Sequence, residues 1–283
     1  MKHFVKEALR RMHVLEACFC IYWSARPRVI YHNIPYWLSG AEDNLPIPPL
    51  RLRSLVWGEY ADVRNFFKEQ GQLDYLFDVL AHDGARLDDF RAILDFGCGA
   101  GRALRQVPYL KRSLEKASFH GTDINRKQID WCKRNLPFAR FEVNGAVPPL
   151  VYHNEQFDFI YPLSVFTHLS ETQQFAWIAE LSRVLRLGGY LLITTCGESY
   201  FETLSEKERA LFRQDQLVVR NQELAGISQS YADCIAFHPV AYVREKLTKG
   251  FDLIHFSPGV AVQSEAKGEM DYFFLRKPQV ASG

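Results

Sequence analysis

The sequence predicts an α/β fold whose core is a doubly wound, mostly parallel sheet of seven strands with an antiparallel last strand. From residue 91 onward, short apolar segments alternate with segments of helical periodicity, which is typical of parallel strands joined by helices. A glycine-rich turn follows the first of these apolar segments. The last two apolar segments, at 251–256 and 271–275, are separated by a loop too short for a crossover helix, so they should pair antiparallel.

Composition limits the classes of function. Of the 283 residues, 47% are hydrophobic and 24% are charged, as is usual for a globular protein. The net charge of +1 gives no long-range attraction to nucleic acid, which is therefore not an expected partner. With no signal peptide and no apolar run of 18 residues, we expect a cytoplasmic protein. The cysteines form no CxxC pair, so we predict free, mostly buried thiols and no metal site; they are Cys18, Cys20, Cys98, Cys132, Cys196 and Cys234.

Residues 1–85 are predicted to form a helical and irregular extension ahead of a main domain at 86–283. A basic amphipathic helix is expected over residues 1–23; such a helix can lie on an anionic membrane, but more often packs on its own domain or on a second subunit of a homodimer. Residues 24–58 are proline-rich, and we expect an irregular segment that wraps over the core and could roof a pocket. The spacing of apolar residues predicts a helix over 72–82, with a buried stripe formed by Leu73, Leu76, Phe77 and Leu80.

The main domain supplies the strands of the predicted sheet. The first five strands are expected at 91–96, 117–122, 139–143, 157–161 and 188–195. Between the fourth and the fifth, a helix is expected over 171–187, with Ser170 and Gln173 as a capping box and Gly188 past its end. Its buried stripe is predicted to be Phe175, Ile178, Leu181 and Leu185.

An excursion at about 197–236 interrupts the alternation of strands and helices. It contains charged helical material at 202–213 and then a polar stretch with aromatic residues. Because it follows the carboxyl end of a central strand, where α/β folds bind their substrates, we expect it to form a cap over a substrate. A last helix is then predicted from Pro239 to Gly250.

The glycine-rich turn carries the first functional prediction. Asp95 ends the first strand, and Gly97, Gly99 and Gly101 follow with single residues between them. Glycine lets backbone N–H groups approach a ligand closely, and the start of a following helix would add further donors. The spacing differs from the Gly-x-Gly-x-x-Gly pattern of dinucleotide-binding turns. A tight turn that binds no ligand is the plainer alternative.

Asp123 ends the second predicted strand, 22 residues after Gly101. An acidic residue about 20 residues past such a turn commonly accepts hydrogen bonds from a ribose. The alternative role is a helix N-cap, but Asn125 competes for it, with Gln128 completing a capping box. Both NAD enzymes and methyltransferases place an acid here, so Asp123 alone does not distinguish them.

These motifs resemble those of the class I S-adenosylmethionine-dependent methyltransferases. The resemblance covers roughly residues 91–277 and includes the antiparallel last strand. It implies S-adenosyl-L-methionine as cofactor, held by Asp95, the three glycines and Asp123. It further implies that Asn144 contacts the adenine amino group, although Asn144 beside a glycine could be only a turn former. Neighbouring residues assigned to the same cofactor site are Ile124, Gly145 and Ser164.

The segment Ser164–Leu169 reads SVFTHL, a form found in many bacterial small-molecule methyltransferases. The resemblance implies that Phe166 in this segment contacts the acceptor. His168 is the predicted general base, which an aliphatic or sugar hydroxyl would require, although a histidine here is often only a structural hydrogen-bonding group. Tyr231 and His238, which flank the end of the excursion, are further candidates for acceptor contact.

The expected reaction is O-methylation of a small molecule or a saccharide. The choice of acceptor rests on analogy with methyltransferases that have similar extensions and caps. Two alternatives stay open at this point. One is a non-catalytic protein that keeps the fold and binds S-adenosylmethionine, and the other, disfavoured by the glycine spacing and the last strand, is an NAD-dependent oxidoreductase.

Overall fold

The central feature of the structure is a seven-stranded sheet. The structure is a computed structural model, and it describes residues 21–22, 25–56, 61–67, 71–111, 114–221, 234–262 and 267–279. The sheet has the strand order β3-β2-β1-β4-β5-β11-β8. Its strands are β1 (Ala92–Phe96), β2 (Ser118–Asp123), β3 (Ala139–Val143), β4 (Phe157–Ile160), β5 (Leu185–Thr195), β8 (Asp252–Ser257) and β11 (Asp271–Arg276). β11 is antiparallel to both of its neighbours, β5 and β8, and the pairs from β3 to β5 are parallel. The predicted fold class, including the antiparallel last strand, is confirmed.

Helices cover both faces of this sheet. The α-helices of the described residues are α1 (Pro27–Ser39), α2 (Leu50–Val56), α3 (Val63–Phe67), α4 (Gln72–His82), α5 (Arg126–Asn135), α6 (Glu171–Val184), α7 (Glu206–Phe212) and α8 (Val240–Tyr242). Short 3₁₀ segments lie at Leu87–Asp89, Leu104–Tyr109, Phe166–His168 and Glu198–Thr203. A π-helical segment, Val243–Leu247, continues α8.

Two apolar cores lie on opposite sides of the sheet. Adjacent residues of β1 point to different cores: Ile93 packs with α4 and α5, whereas Leu94 packs with α6 and the segment after α8. Because both faces are covered, every residue of β1 is buried, which explains why this strand is apolar in the sequence except for Asp95. The predicted stripe of α4 is confirmed, since Leu73, Leu76, Phe77 and Leu80 are all buried.

The proline-rich segment 24–58 is only partly irregular: residues 40–49 form no helix or strand, as predicted, but most of the rest of its described part is helical, which corrects the prediction. It contains α1 and α2. Pro27 is the first residue of α1, where no backbone N–H is needed, so this proline favours the helix. The buried side chain of Asn33 then fixes α1 to the following segment: its Nδ2 donates to the carbonyl of Ala61 at 2.9 Å, and its Oδ1 accepts from the N–H of Val63 at 2.9 Å.

Two details of the predicted α/β units are also corrected. The glycine turn leads into the 3₁₀ segment Leu104–Tyr109 and not into an α-helix, because Pro108 lacks the N–H that a longer helix would need. α6 ends at Val184, and Leu185 already belongs to β5. Phe175 is 41% exposed, and the fully buried polar residue Gln174 takes its place in the stripe. Gln174 is tolerated there because its Nε2 donates to the carbonyls of Phe166 and Leu169.

The excursion after β5 forms a small unit of its own. The 3₁₀ segment Glu198–Thr203 and α7 are followed by an antiparallel pair of strands, β6 (Val218–Asn221) and β7 (Cys234–Phe237). A separate cluster of buried side chains holds the unit together, formed by Cys196, Leu204, Phe212, Val218 and Phe237. A further antiparallel pair, β9 (Ala261–Val262) and β10 (Lys267–Gly268), lies in the loop between β8 and β11.

The helix expected over residues 1–23 lies almost entirely outside the described residues. Among the described helices, none combines the length and the apolar character that a bilayer-spanning helix requires.

Candidate functional site

The glycine turn is fixed between β2 and the segment that follows β4. Gly97, Gly99 and Gly101 have φ angles of +80°, +54° and +74°, which favour glycine. The N–H groups of Gly97 and Cys98 both donate to the carbonyl of Thr122, at 2.7 and 3.0 Å. A Cβ on Gly97 would lie 2.4 Å from Cγ2 of Val165. The turn is therefore held in a conformation that other residues would not adopt.

Asp123 connects this turn to the end of β2. Its Oδ2 accepts from the N–H of Gly99 at 2.8 Å, and its Oδ1 accepts from the N–H of Asn125 at 2.7 Å. Burial raises the pKa of Asp123 to about 7, and these two backbone hydrogen bonds oppose the rise. Each carboxylate oxygen keeps a lone pair beyond the bond it accepts, so the group can still accept from hydroxyls of a ligand.

The N-cap of α5 is Asn125, as the alternative interpretation of this segment proposed. Its side chain accepts from the N–H groups of Lys127 and Gln128. The predicted capping box is wrong in one respect, because the side chain of Gln128 donates to the carbonyl of Leu52. Asp123 accepts from the Asn125 N–H that Gln128 was predicted to bind. Asp123 therefore holds the backbone of the N-cap residue Asn125 but does not itself cap the helix.

Asp95 lies at the end of β1, next to the turn, and is almost fully buried. Burial raises its pKa well above the usual value; the charge of Arg102 opposes this effect, and the charge of Asp123 adds to it. Two carboxyl groups and a turn of backbone N–H donors thus meet at the carboxyl ends of β1 and β2.

Asn144 follows β3 and belongs to the same edge of the sheet. Its Oδ1 accepts from the hydroxyl of Thr122 at 2.9 Å, and its Nδ2 donates to the carbonyl of Gly145. Its backbone N–H donates to the carbonyl of Asp123 at 3.1 Å. Sequence reasoning had assigned no role to Thr122, which links two of the predicted residues. Ile124, half-buried, lies directly after Asp123, and Gly145 is exposed.

Ser164 follows β4 and has a φ angle of +59°. Its N–H donates to the Thr194 hydroxyl at 2.8 Å, and its own hydroxyl donates to Sδ of Met270 at 3.2 Å. The structure thus brings the ends of β4, β5 and β11 together here. No pattern in the sequence indicated Thr194 or Met270, because their proximity depends on the pairing of β5 with β11.

His168 lies in the 3₁₀ segment after Ser164 and is half-buried. Burial lowers its pKa, while a hydrogen bond to the carbonyl of Cys234, at 3.4 Å from Nδ1, opposes this effect. The imidazole is therefore neutral at pH 7, the form in which it could accept a proton. The contact with Cys234 of β7 places His168 at the boundary between the large sheet and the small unit that follows β5.

The structure does not place the other predicted acceptor residues at an open surface. Phe166 is fully buried in the core beside α6. His238 is also fully buried; its Nε2 lies 3.1 Å from Oε1 of Gln174, and burial lowers its pKa to about 3. Both side chains are enclosed by packing in this structure, and their contact with the acceptor stays a prediction. Tyr231 lies outside the described residues.

A polar group that sequence reasoning missed lies where β11 begins. Asp271 is buried, pairs with Thr195 across the sheet, and accepts from the N–H of Gly259 at 2.7 Å. Burial raises its pKa to about 6. Its Oδ2 and the Thr195 hydroxyl have no hydrogen-bond partner in the described part of the chain. The only sequence signal was a carboxylate at the start of an apolar strand.

The described residues contain no group of three or more histidine, cysteine or acidic side chains that could hold a metal ion. Four of the cysteines, Cys98, Cys132, Cys196 and Cys234, are free and buried, as predicted; Cys18 and Cys20 lie outside the described residues. A cavity of about 250 Å³ lies between the extension and the 3₁₀ segment after the glycine turn, lined in part by Asp43, Phe67, Asp74 and Tyr109. The glycines of the turn and Asp123 do not line it.

Each comparison with known proteins finds methyltransferases. Residues 93–189 match the family model described as "Methyltransferase domain". A phthiotriol/phenolphthiotriol dimycocerosates methyltransferase 1 of Mycobacterium ulcerans is 38% identical over 109 residues, which cover 37% of each chain. A fatty-acid O-methyltransferase of Mycolicibacterium smegmatis is 33% identical over 146 residues, which are 50% of this chain and 51% of the relative. The chain thus spans 37% and 51% of the lengths of these two curated relatives.

Among solved structures, the chain is similar to the 1,6-didemethyltoxoflavin-N1-methyltransferase of Burkholderia thailandensis, whose structure contains 1,6-didemethyltoxoflavin and S-adenosylhomocysteine. The TM-score is 0.52 at 15% identity, and the alignment covers 81% of this chain and 88% of the other. This likeness shows that the two proteins share a fold.

Proposed function

The chain belongs to the class I S-adenosylmethionine-dependent methyltransferase superfamily, and from this premise we propose that it transfers a methyl group to an oxygen atom of an acyl lipid. S-adenosylmethionine is the cofactor of this superfamily and the one expected from the motifs. The observation that carries the proposal is the hydrogen bond from the N–H of Gly99 to Asp123, which holds a carboxylate beside a turn of backbone donors. This arrangement supports a ribose-binding role for Asp123.

The residues at this edge fit the cofactor in their chemistry. Asp95 and the backbone N–H groups of the turn suit the charged amino-acid end, and Asp123 suits a pair of ribose hydroxyls. Asn144 has an amide that could contact the adenine, as the resemblance implied. S-adenosylmethionine supplies an electrophilic methyl group on a sulfonium, whose positive charge disappears on transfer. The protein then has to align the acceptor and exclude water. In favourable cases this lowers the activation free energy by up to roughly 7–11 kcal/mol.

The choice of a lipid as acceptor rests on the relatives. One is named for dimycocerosates and the other for fatty acids. A lipid acceptor is a narrower proposal than the small molecule or saccharide that the sequence suggested, and the saccharide stays as the alternative. A carboxylate acceptor would carry no proton that must be removed, whereas a hydroxyl acceptor would need a general base. His168, neutral and next to the cap, is the candidate base for a hydroxyl.

The test has two stages. Calorimetric titration with S-adenosylmethionine, S-adenosylhomocysteine and NAD should give binding of the first two only. Asp123→Ala should weaken that binding, and the matched variant Asp88→Ala, at an exposed site, should not. Binding of NAD alone would contradict the family assignment of the site.

The protein is then incubated with S-adenosylmethionine and, separately, a long-chain fatty acid, a long-chain diol and a disaccharide. We expect S-adenosylhomocysteine and a methylated product with one of the two lipids. Turnover only with the disaccharide would replace the lipid by a saccharide. Cofactor binding with no turnover on any acceptor would favour a non-catalytic binding protein.

His168→Gln separates the two kinds of lipid acceptor. If the acceptor is a hydroxyl, we expect the variant to lose about 100-fold or more in kcat with little change in cofactor binding, because general-base catalysis contributes roughly that much. If the acceptor is a carboxylate, kcat should change little. A loss of cofactor binding in this variant would instead indicate a structural role for His168.

A further inference from the structure

Helix α1 is attached to the rest of the protein by its polar side. The fully buried Asn33 bonds the backbone of Ala61 and Val63, as described above. In the preceding residue, His32, Nδ1 lies 2.6 Å from Oδ2 of Asp62. The ring of Tyr36 stacks on Phe67 with a centroid distance of 5.8 Å. The attachment of α1 to the rest of the protein thus depends on hydrogen bonds as much as on apolar contacts.

The opposite side of α1 is apolar and exposed, which is the reverse of an ordinary surface helix. We call this surface the outer face of α1; its residues are Ile30, Tyr31, Ile34, Trp37 and Leu38. Ile30, Ile34 and Trp37 follow each other at helical spacing, and Trp37 and Leu38 are 62% and 82% exposed. Ile21 and Tyr22, just before α1, are exposed as well. A contiguous set of large exposed apolar side chains on a folded protein marks an interaction surface.

The charge of this part of the chain indicates what the surface contacts. Residues 1–41 contain six basic and two acidic residues, a net charge of +4, whereas the remaining residues together carry −3. Within the described residues from 21 to 41, the charged residues are Arg26 and Arg28, and there is no acid. Arg28 is an exposed residue of the first turn of α1. Positive charge beside exposed tryptophan, tyrosine and aliphatic side chains suits the boundary between the headgroups and the acyl chains of an anionic bilayer.

We propose that the outer face of α1 docks this protein on the surface of a bilayer that contains anionic lipid. The apolar side chains would enter the outer part of the acyl region, and the arginines would contact the headgroups. The docking stands on the geometry of α1 and does not depend on which acceptor is methylated. If the acceptor is a lipid, as proposed above, this docking would bring the active site to the bilayer that holds the substrate.

The experiment uses the full chain and vesicles, without cofactor or acceptor. Vesicles of phosphatidylcholine alone are compared with vesicles containing about one third phosphatidylglycerol, in a flotation assay. We expect binding to the anionic vesicles that weakens with added salt, and much weaker binding to the neutral ones. The double variant Trp37→Ser/Leu38→Ser should lose about tenfold or more in vesicle affinity, because two of the largest exposed apolar side chains are removed.

A matched control removes two exposed apolar side chains elsewhere, in the double variant Leu211→Ser/Val260→Ser, and should bind vesicles like the unmodified protein. Both double variants should keep S-adenosylhomocysteine binding and thermal stability, which shows that they are folded. Arg28→Gln, with one charge fewer, should weaken binding to anionic vesicles only.

Three outcomes would overturn the proposal. The first is no binding of the unmodified protein to anionic vesicles, and the second is equal binding by it and by Trp37→Ser/Leu38→Ser. The third is a dimer in light scattering that this variant abolishes, without vesicle binding, which would assign the outer face to a second copy of the chain. A failure of the proposed methyl transfer would leave the vesicle-binding and light-scattering results unaffected, so the two proposals are tested separately.

Discussion

At the scale of single residues, Asp123 is subject to two opposing influences on its protonation. Burial favours the neutral acid, while the N–H groups of Gly99 and Asn125 favour the carboxylate, and the resulting pKa is about 7. Because this pKa is raised above that of the unfolded chain, the buried group favours folding most at low pH, and this contribution falls as the pH rises from about 4 to about 7. Ribose hydroxyls that donate to the group would stabilise the carboxylate and lower its pKa.

Cofactor binding should therefore depend on pH through Asp123. We expect the affinity for S-adenosylhomocysteine to rise between about pH 6 and pH 8, by about tenfold at most per pH unit below the pKa, with release of a proton. Calorimetry in buffers of different ionisation enthalpy measures both quantities. In Asp123→Asn, which cannot ionise, binding should be weaker and this pH dependence should disappear. An affinity of the unmodified protein that stays constant over this range would contradict the ribose role of Asp123.

At the scale of secondary structure, α6 shows which features of a helix can be predicted from the sequence. The capping box of Ser170 and Gln173 was predicted correctly, and both of its hydrogen bonds are present. Capping residues act on their neighbours along the chain, so they can be recognised from the sequence alone. The buried stripe was placed correctly only in part, because Gln174 is buried through bonds to the carbonyls of Phe166 and Leu169, which no hydrophobic pattern contains.

The cap of α6 leads to a prediction about stability. Ser170→Ala should lower the free energy of unfolding by about 1 kcal/mol, because the Gln173 N–H loses its side-chain acceptor at the start of a helix that packs on the core. Ser182→Ala, the same substitution near the other end of α6, is the matched control and should have little or no destabilising effect. Urea unfolding measures both. Equal losses in the two variants would mean that the capping box does not stabilise the protein.

At the scale of the whole molecule, the sheet was predictable because it depends on local signals that follow one another along the chain. Apolar strands, turns and a carboxylate at the ends of β1 and β2 are sufficient to predict the fold class, and the proposed position of the cofactor site rests on the same signals. The sequence could not indicate contacts created by distant pairing, such as Ser164 with Met270 or Asp271 beside Thr195. It also could not show that Phe166 and His238 are enclosed by packing.

A buried ion pair links the segment ahead of β1 to the part of the chain that carries the sheet. Patterns in the sequence could not predict this pair either. Nε of Arg105 lies 2.7 Å from Oδ2 of Asp43, and its Nη2 lies 2.8 Å from Oδ1. The arginine side chain is 3% exposed and also lies over the ring of Phe67, 4.8 Å from its centroid. A buried guanidinium that loses its carboxylate cannot be solvated, so removing the partner is far more costly than breaking a surface pair.

This geometry predicts how the extension unfolds. Asp43→Asn should lower the free energy of unfolding by roughly 3–5 kcal/mol, because Arg105 is left buried without a counter-charge. Asp89→Asn is the matched control: it breaks an exposed ion pair with Arg86 and should change the free energy by less than about 1 kcal/mol. Urea unfolding followed by both tryptophan fluorescence and circular dichroism should show one shifted transition for Asp43→Asn if the extension and the sheet unfold together. An additional early transition with an unchanged main one would show that the extension is a separate unit attached to the domain, and an unchanged curve would mean that the ion pair contributes nothing to stability.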